Sequence, residues 1–343
     1  MVYCTLHIHL SYTMQTSNIK EQLHSVSLLL RDKNFAQEMA QYLEAAYYTS
    51  KGEEAPAFSE EGIHNRYTTC LLIEEKIAVS IAAFYALECA IGQLIYSKGG
   101  NPFDWLIKIK DRTTDEADRL VMHCFANAAW KAGQPYRGID RITRDNFISA
   151  YFLPEAEIKK DLDQVYAAAL LLKKEIMDVA NSSVNIQLEK ISRLLQNESF
   201  ALEIAQHLEA AYYTDTHQPA PVFLKKGEET AETKRSLIDE KIAINISGFY
   251  ALESGLSYLA LSQHSLPSDI VHAIITDSIS AKDKQLLARF ANLTWKAGQP
   301  FRGLHRIRRE IFTPFDLLPQ NERFKDWVQI KAAAQKLKDT LHL

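Results

Sequence analysis

Apolar residues recur at helical spacing along most of the chain, and no stretch sustains the period-two alternation of a half-buried strand. Leu23, Val26 and Leu30 share one face over residues 19–30, predicting a first amphipathic helix. Phe35, Met39, Leu43 and Ala46 form the stripe of a second, ending near Thr49, with Asn34 as its N-cap and Ser199 as the cap of the matching helix later in the chain. A polar loop with Pro56 follows, then a long apolar helix over residues 70–96. A loop with Pro102 and Trp105 leads to a helix over 114–132, where Gly133, Gln134 and Pro135 predict a stop. Pro154 opens a last helix running to about Ala180. Residues 77–96 are long and apolar enough to span a bilayer. Glu88 at mid-segment, and Glu253 with Asn245 and several serines in the matching segment, predict instead the central helix of a bundle.

The same pattern then repeats. FAQEMAQYLEAAYYT, EKIAVSIAAFYALE and FANAAWKAGQPYRGIDRI return as FALEIAQHLEAAYYT, EKIAINISGFYALE and FANLTWKAGQPFRGLHRI, each displaced by 165 residues. The offset holds without a gap from Asn18/Ser183 to Asp178/Leu343, with about 40% of positions identical. The expected fold is all-α: two tandem homologous helical-bundle units of about five helices each, residues 18–178 and 183–343, in a pseudo-twofold or pseudo-translational arrangement, with residues 1–17 as an extension. The joint, Val179 to Ser182, has no Pro or Gly, so the units are expected to pack rigidly.

Composition narrows the function classes. At 343 residues, 47% hydrophobic and 24% charged, the chain is globular. A net charge of -4 disfavours a long nucleic-acid footprint. The four cysteines form no CxxC pair and all lie in the first half, and the start lacks a basic n-region and a clean apolar run. Free thiols in a cytoplasmic protein without a membrane segment are the expectation.

Candidate chemistry is whatever polar groups both units keep. Glu88 and Glu253 interrupt an apolar stripe, so each needs a partner or a function. Either a retained Arg or Tyr ties each carboxylate between helices, or it binds a ligand or acts as a general acid or base. Lys131, Gln134, Arg137, Arg141 and Arg144 match Lys296, Gln299, Arg302, Arg306 and Arg309. Cations suit a helix C-terminus, and their partners could be Glu38, Glu44, Glu88 and Asp161. Guanidinium forks also recognise phosphate and carboxylate, with Tyr47, Tyr48, Trp130 and Tyr136 as stacking faces and Tyr212 as the second unit's counterpart of Tyr47. None of the 11 histidines matches another at the offset; His123 and His207 each occur in one unit only, so no repeated metal site is expected. There is no G-x-S-x-G, P-loop or G-x-G-x-x-G, and no catalytic residue or cofactor is assigned.

The second half of each unit resembles the repeat domain of ryanodine receptors, which also occurs in bacterial proteins. The likeness rests on Trp130, Gly133, Tyr136, Gly138, Phe152-Leu153-Pro154-Glu155, Lys160-Asp161 and Gln164. In the second unit it rests on Trp295, Gly298, Phe301, Gly303, the run Thr313 to Pro319, and Lys325-Asp326. Gln134-Pro135 stand where that family has a turn tryptophan, and the spacing of the glycines differs. The resemblance implies a non-catalytic helical module used for binding or regulation. Three readings follow. The first is a binding or signalling protein with one cleft per unit, lined by Glu88, Lys131, Arg137 and Arg141 (Glu253, Lys296, Arg302 and Arg306), for a small anionic, nucleotide-like ligand. The second is a scaffold for a protein partner or a second copy of the chain. The third is an enzyme of unrecognised class using Glu88 or Glu253.

Overall fold

The computed structural model describes residues 72–197 and 237–342, Phe200, and, before them, residues 19, 21–26, 28, 29, 32 and 35. Tyr47, Tyr212, residues 1–17 and nearly all of the second expected helix lie outside the described residues. Every regular element among the described residues is helical. After helical residues at 19–29, the elements are α1 (Leu72–Lys98), α2 (Pro102–Lys110), α3 (Glu116–Gly133), α4 (Glu155–Glu175), α5 (Val184–Leu195), α6 (Leu237–Gln263), α7 (Pro267–Ile275), α8 (Ala281–Gly298) and α9 (Gln320–Leu341). α1 and α6, α2 and α7, and α3 and α8 are equal in length and displaced by 165 residues.

The local signals explain most boundaries. Asn101 and Ser280 accept from the N–H groups of Asp104 and Asp283, and Asp115 forms a capping box with Asp118. Pro154 and Pro319 stand just before α4 and α9. α4 stops at Glu175, short of the expected end, and a 3-10 turn at Met177–Val179 follows. The caps expected at Asn34 and Ser199 fall outside the described residues; the N–H groups of Phe35 and Phe200 are taken by Asp32 and Asn197, three residues upstream in both units.

α1 and α6 are apolar nearly all round because they are buried on nearly all sides. From Ala78 to Leu94 hardly a residue of α1 reaches solvent. Its stretch from Ala78 to Lys98 is long and apolar enough to cross a membrane, and 78% of its most apolar part is buried inside the bundle.

The two units share one hydrophobic core. Their contacts are reciprocal. Phe125 of α3 lies on Phe290 of α8 with ring centroids 4.3 Å apart. Tyr85 meets Phe312 edge-on at 5.2 Å, and Tyr250 meets Phe147 at 5.2 Å. Phe84 meets Phe200 at 5.6 Å, and Phe35 meets Phe249 at 5.3 Å. Contacts in which i meets j and j's counterpart meets i's are those a twofold axis generates, so the units are related by an approximate twofold and not by translation. The first helices follow the same rule. Gln22 accepts from Ser268 N at the start of α7, and Gln187 of α5 accepts from Phe103 N in α2, both at 2.9 Å. Gln187 also donates to the carbonyls of Ala180 and Ser182, which fastens the joint between the units.

Gly133 does not end its helix as a left-handed cap. It is helical, and Pro135 ends the α-helix. A Cβ at Gly133 would lie 2.7 Å from Phe301 Cε2, and one at Gly298 would lie 2.8 Å from Tyr136 Cε2. Each glycine seats the other unit's ring, and Tyr136 and Phe301 then stack at 5.5 Å and 10° on the axis. Gly138 and Gly303, both at φ 127, take the positive-φ backbone that leads out of this turn and that favours glycine.

Candidate functional site

The carboxylates on the apolar stripes are paired across the axis. Lys296 at the end of α8 donates to Glu88 Oε2 at 2.6 Å, and Lys131 at the end of α3 donates to Glu253 Oε2 at 2.5 Å. Both lysines and Glu253 are fully buried, and Glu88 is 3% exposed. This corrects the grouping expected from the sequence: Glu88 meets the other unit's lysine, not Lys131, and the two do not line an open cleft. Sealed, lysine-bound carboxylates touch no substrate, so a general acid or base role has no access route.

The two pairs differ in support. Glu253 also accepts from Ser257 at 2.9 Å and Ser254 at 3.3 Å. Glu88 gains only the Cys89 thiol at 3.4 Å, and its Oε1 has no hydrogen-bond partner. Gly92 stands where the other unit has Ser257, and that space is taken by Arg289, fully buried and held by both oxygens of Asp316. Arg289 and Arg323 both lie over the Phe315 ring, at 4.9 and 5.3 Å.

Gln134 and Gln299 turn inward; each donates to the carbonyl of its own helix, Trp130 O and Trp295 O, at 3.2 Å. Arg137 and Arg141 are half-buried on the matching turn of the first unit. In the second unit the structure does bring the arginines together. Arg302, Arg306 and Arg309 line one wall of a cleft of about 460 Å³. Asn245 and Ser247 of α6, Asn292 and Trp295 of α8, and Glu322, Lys325, Asp326 and Gln329 of α9 complete it. Among the described residues that line it, four cations face two carboxylates, and Glu322 accepts from Lys325 at 2.7 Å.

Asn292, Lys325 and Asp326 were not among the site residues expected from sequence, although each type is retained at the offset, as Asn127, Lys160 and Asp161. That retention was the available signal. Asn127 and Asn292 are buried, and each leaves a sealed Oδ1 without a partner. Asp326 keeps some exposed surface, but its Oδ2 is sealed and unpartnered. Burial holds its carboxyl well above the usual range, with the charge of Lys296 pulling back. Asp161 differs, because His123 Nδ1 lies 3.1 Å from its Oδ2; burial raises this carboxyl too, and the histidine lowers it.

A carboxyl raised by burial binds a proton more tightly folded than unfolded. Its penalty is therefore absent below the ordinary carboxylate pKa and grows as pH rises. Asp326→Asn is expected to raise the melting temperature by several degrees at pH 7 and to leave it unchanged near pH 3.5. Thermal melts across that range check this.

Among the described residues no group of three His, Cys, Asp or Glu side chains is placed to hold a metal ion. No protein-family model, curated protein or solved structure matches the chain.

Proposed function

We propose that the protein is a non-catalytic binding module that takes up a small organic anion of nucleotide size in the cleft of its second unit. One observation carries the reading: Arg302, Arg306, Arg309 and Lys325 converge with Trp295 on a single cleft of about 460 Å³. Guanidinium forks match phosphate and carboxylate oxygens, and an indole face accepts a planar ring. The volume falls within the range of small-molecule sites. The reading agrees in kind with the binding or regulatory role implied by the likeness to the ryanodine receptor repeat. A cytoplasmic setting accords with it, since Cys89 and Cys124 are free thiols buried in the core.

The test has two parts. Small molecules released by heat from the purified protein are identified by mass spectrometry, and ADP is titrated into the protein by calorimetry. Arg309→Ala is expected to weaken ADP binding roughly 10- to 100-fold, the worth of one or two hydrogen bonds to a charged group, while the melting temperature stays within about 2 °C. No released anion, together with no ADP binding up to millimolar concentration, would remove the reading.

A further inference from the structure

We infer that the first unit carries a second site for the same class of ligand, built on Trp130, Arg137, Arg141, Arg144 and Lys160. The inference rests on the anion-binding reading of the second unit's cleft and adds to it a second place, so that one chain takes up two ligands.

The first observation is what the two units keep. Of the 16 described residues that line the cleft, 11 are identical at the 165-residue offset, against about 40% of positions along the repeat. The identical ones include every charged residue and the tryptophan. Four of the five that differ lie on the central helices α1 and α6, and the fifth is Asn146 for Ile311, so no difference touches a charge or an aromatic ring.

The last helix of each unit shows the same choice residue by residue. Between positions 155 and 166, matched with 320–331, only Glu157, Lys160, Asp161 and Gln164 are retained. Steps of three, four and seven residues put these four on one helical face. Their counterparts Glu322, Lys325, Asp326 and Gln329 are the residues through which α9 lines the cleft. The positions between them have changed: Lys159 is Phe324, Leu162 is Trp327 and Asp163 is Val328 in the second unit. Arg144 behaves likewise. It and Arg309 are exposed, and the flanking Thr143 and Asp145 are Arg308 and Glu310 in the second unit. An exposed side chain contributes little to folding stability, so stability gives no reason to keep Arg144 while its neighbours change.

The second observation is that the retained residues stand in the same geometry. Gly138 and Gly303 share a φ of 127, and Arg144 and Arg309 close their turns at φ -65, ψ 149 and φ -67, ψ 141. Trp130 lies against Phe147 at 5.8 Å as Trp295 lies against Phe312 at 5.9 Å. Lys160 donates to Glu157 at 2.6 Å as Lys325 does to Glu322 at 2.7 Å. Trp130, Arg137, Arg141 and Lys160 are half-buried, as are Trp295, Arg302, Arg306 and Lys325. The guanidinium groups and the indole face that support the reading in the second unit thus recur in the first, on matching backbone and at matching depth.

The test needs a readout that separates the two places. ADP is titrated into protein labelled with 5-fluorotryptophan, and the fluorine NMR signals of Trp130 and Trp295 are assigned from the Trp130→Phe and Trp295→Phe variants. Both signals are expected to move and to saturate. Arg144→Ala should weaken the response at Trp130 roughly 10- to 100-fold and leave that at Trp295 within about twofold, and Arg309→Ala should do the reverse. A response at Trp295 alone would overturn the inference and leave the second unit's reading standing. So would responses at both tryptophans that Arg309→Ala abolishes together and Arg144→Ala leaves unchanged, because Trp130 would then only report the distant site. No response at either tryptophan up to millimolar ADP would remove both readings.

Discussion

Lys296→Met is expected to destabilise the protein by about 3–5 kcal/mol, lowering the melting temperature by roughly 4–7 °C. The cause is the carboxylate left behind. Glu88 is sealed in the core, its Oε1 has no partner, and without Lys296 only the Cys89 thiol remains. Lys131→Met should cost less, because Glu253 keeps Ser257 and Ser254. Glu88→Met combined with Lys296→Met should recover most of the loss, since an ion pair removed whole leaves no unpaired charge in the core. Urea titration of the three variants ranks them. An order in which Lys131→Met is the worse, or a double variant as unstable as Lys296→Met, would contradict the unequal support described for the two pairs.

Phe125→Ala should be about as damaging, at roughly 3–5 kcal/mol, because its ring packs against Phe290 where the units meet and neither side can close the gap alone. The shape of the transition is equally informative. With one core threading both units, the native protein and this variant should each unfold in a single calorimetric step, with van't Hoff and calorimetric enthalpies in agreement. Two resolved steps would mean that the units hold together independently.

Much of this was legible in the sequence, and the reason is physical. Periodicity, caps and prolines are local, so α1, α3 and the starts of α4 and α9 fall close to where the pattern puts them. The retained pairs of Glu88/Glu253 and Lys131/Lys296 signalled a buried polar contact. What the pattern could not say is which lysine meets which glutamate. Matched positions are equivalent in a list, and only the arrangement in space distinguishes a partner within a unit from one across the axis. Gly133 shows the same limit: a glycine before Gln-Pro reads as a helix stop, whereas its role is to admit Phe301. The cleft was half legible. Arg302 and Arg306 stood out as a retained cationic run, whereas Lys325 and Asp326 reach the same cleft from α9, which spacing along the chain does not predict.

Carrying both complementary faces on one polypeptide makes their association unimolecular. Dilution cannot loosen it, and the entropy of bringing two molecules together does not enter. A dimer of identical chains must also show the same residue on each side of its axis, and this molecule is freed from that rule. Arg289 fits because it faces Gly92; a second copy of its own half would present Ser257 there. Ser149 finds the hydroxyl of Ser257 at 2.6 Å, where a second copy of its own half would offer Gly92. Each half is therefore shaped to the other and not to itself. The same freedom sets a histidine beside Asp161 and an alanine at the matching place beside Asp326, a difference that a symmetric assembly cannot make.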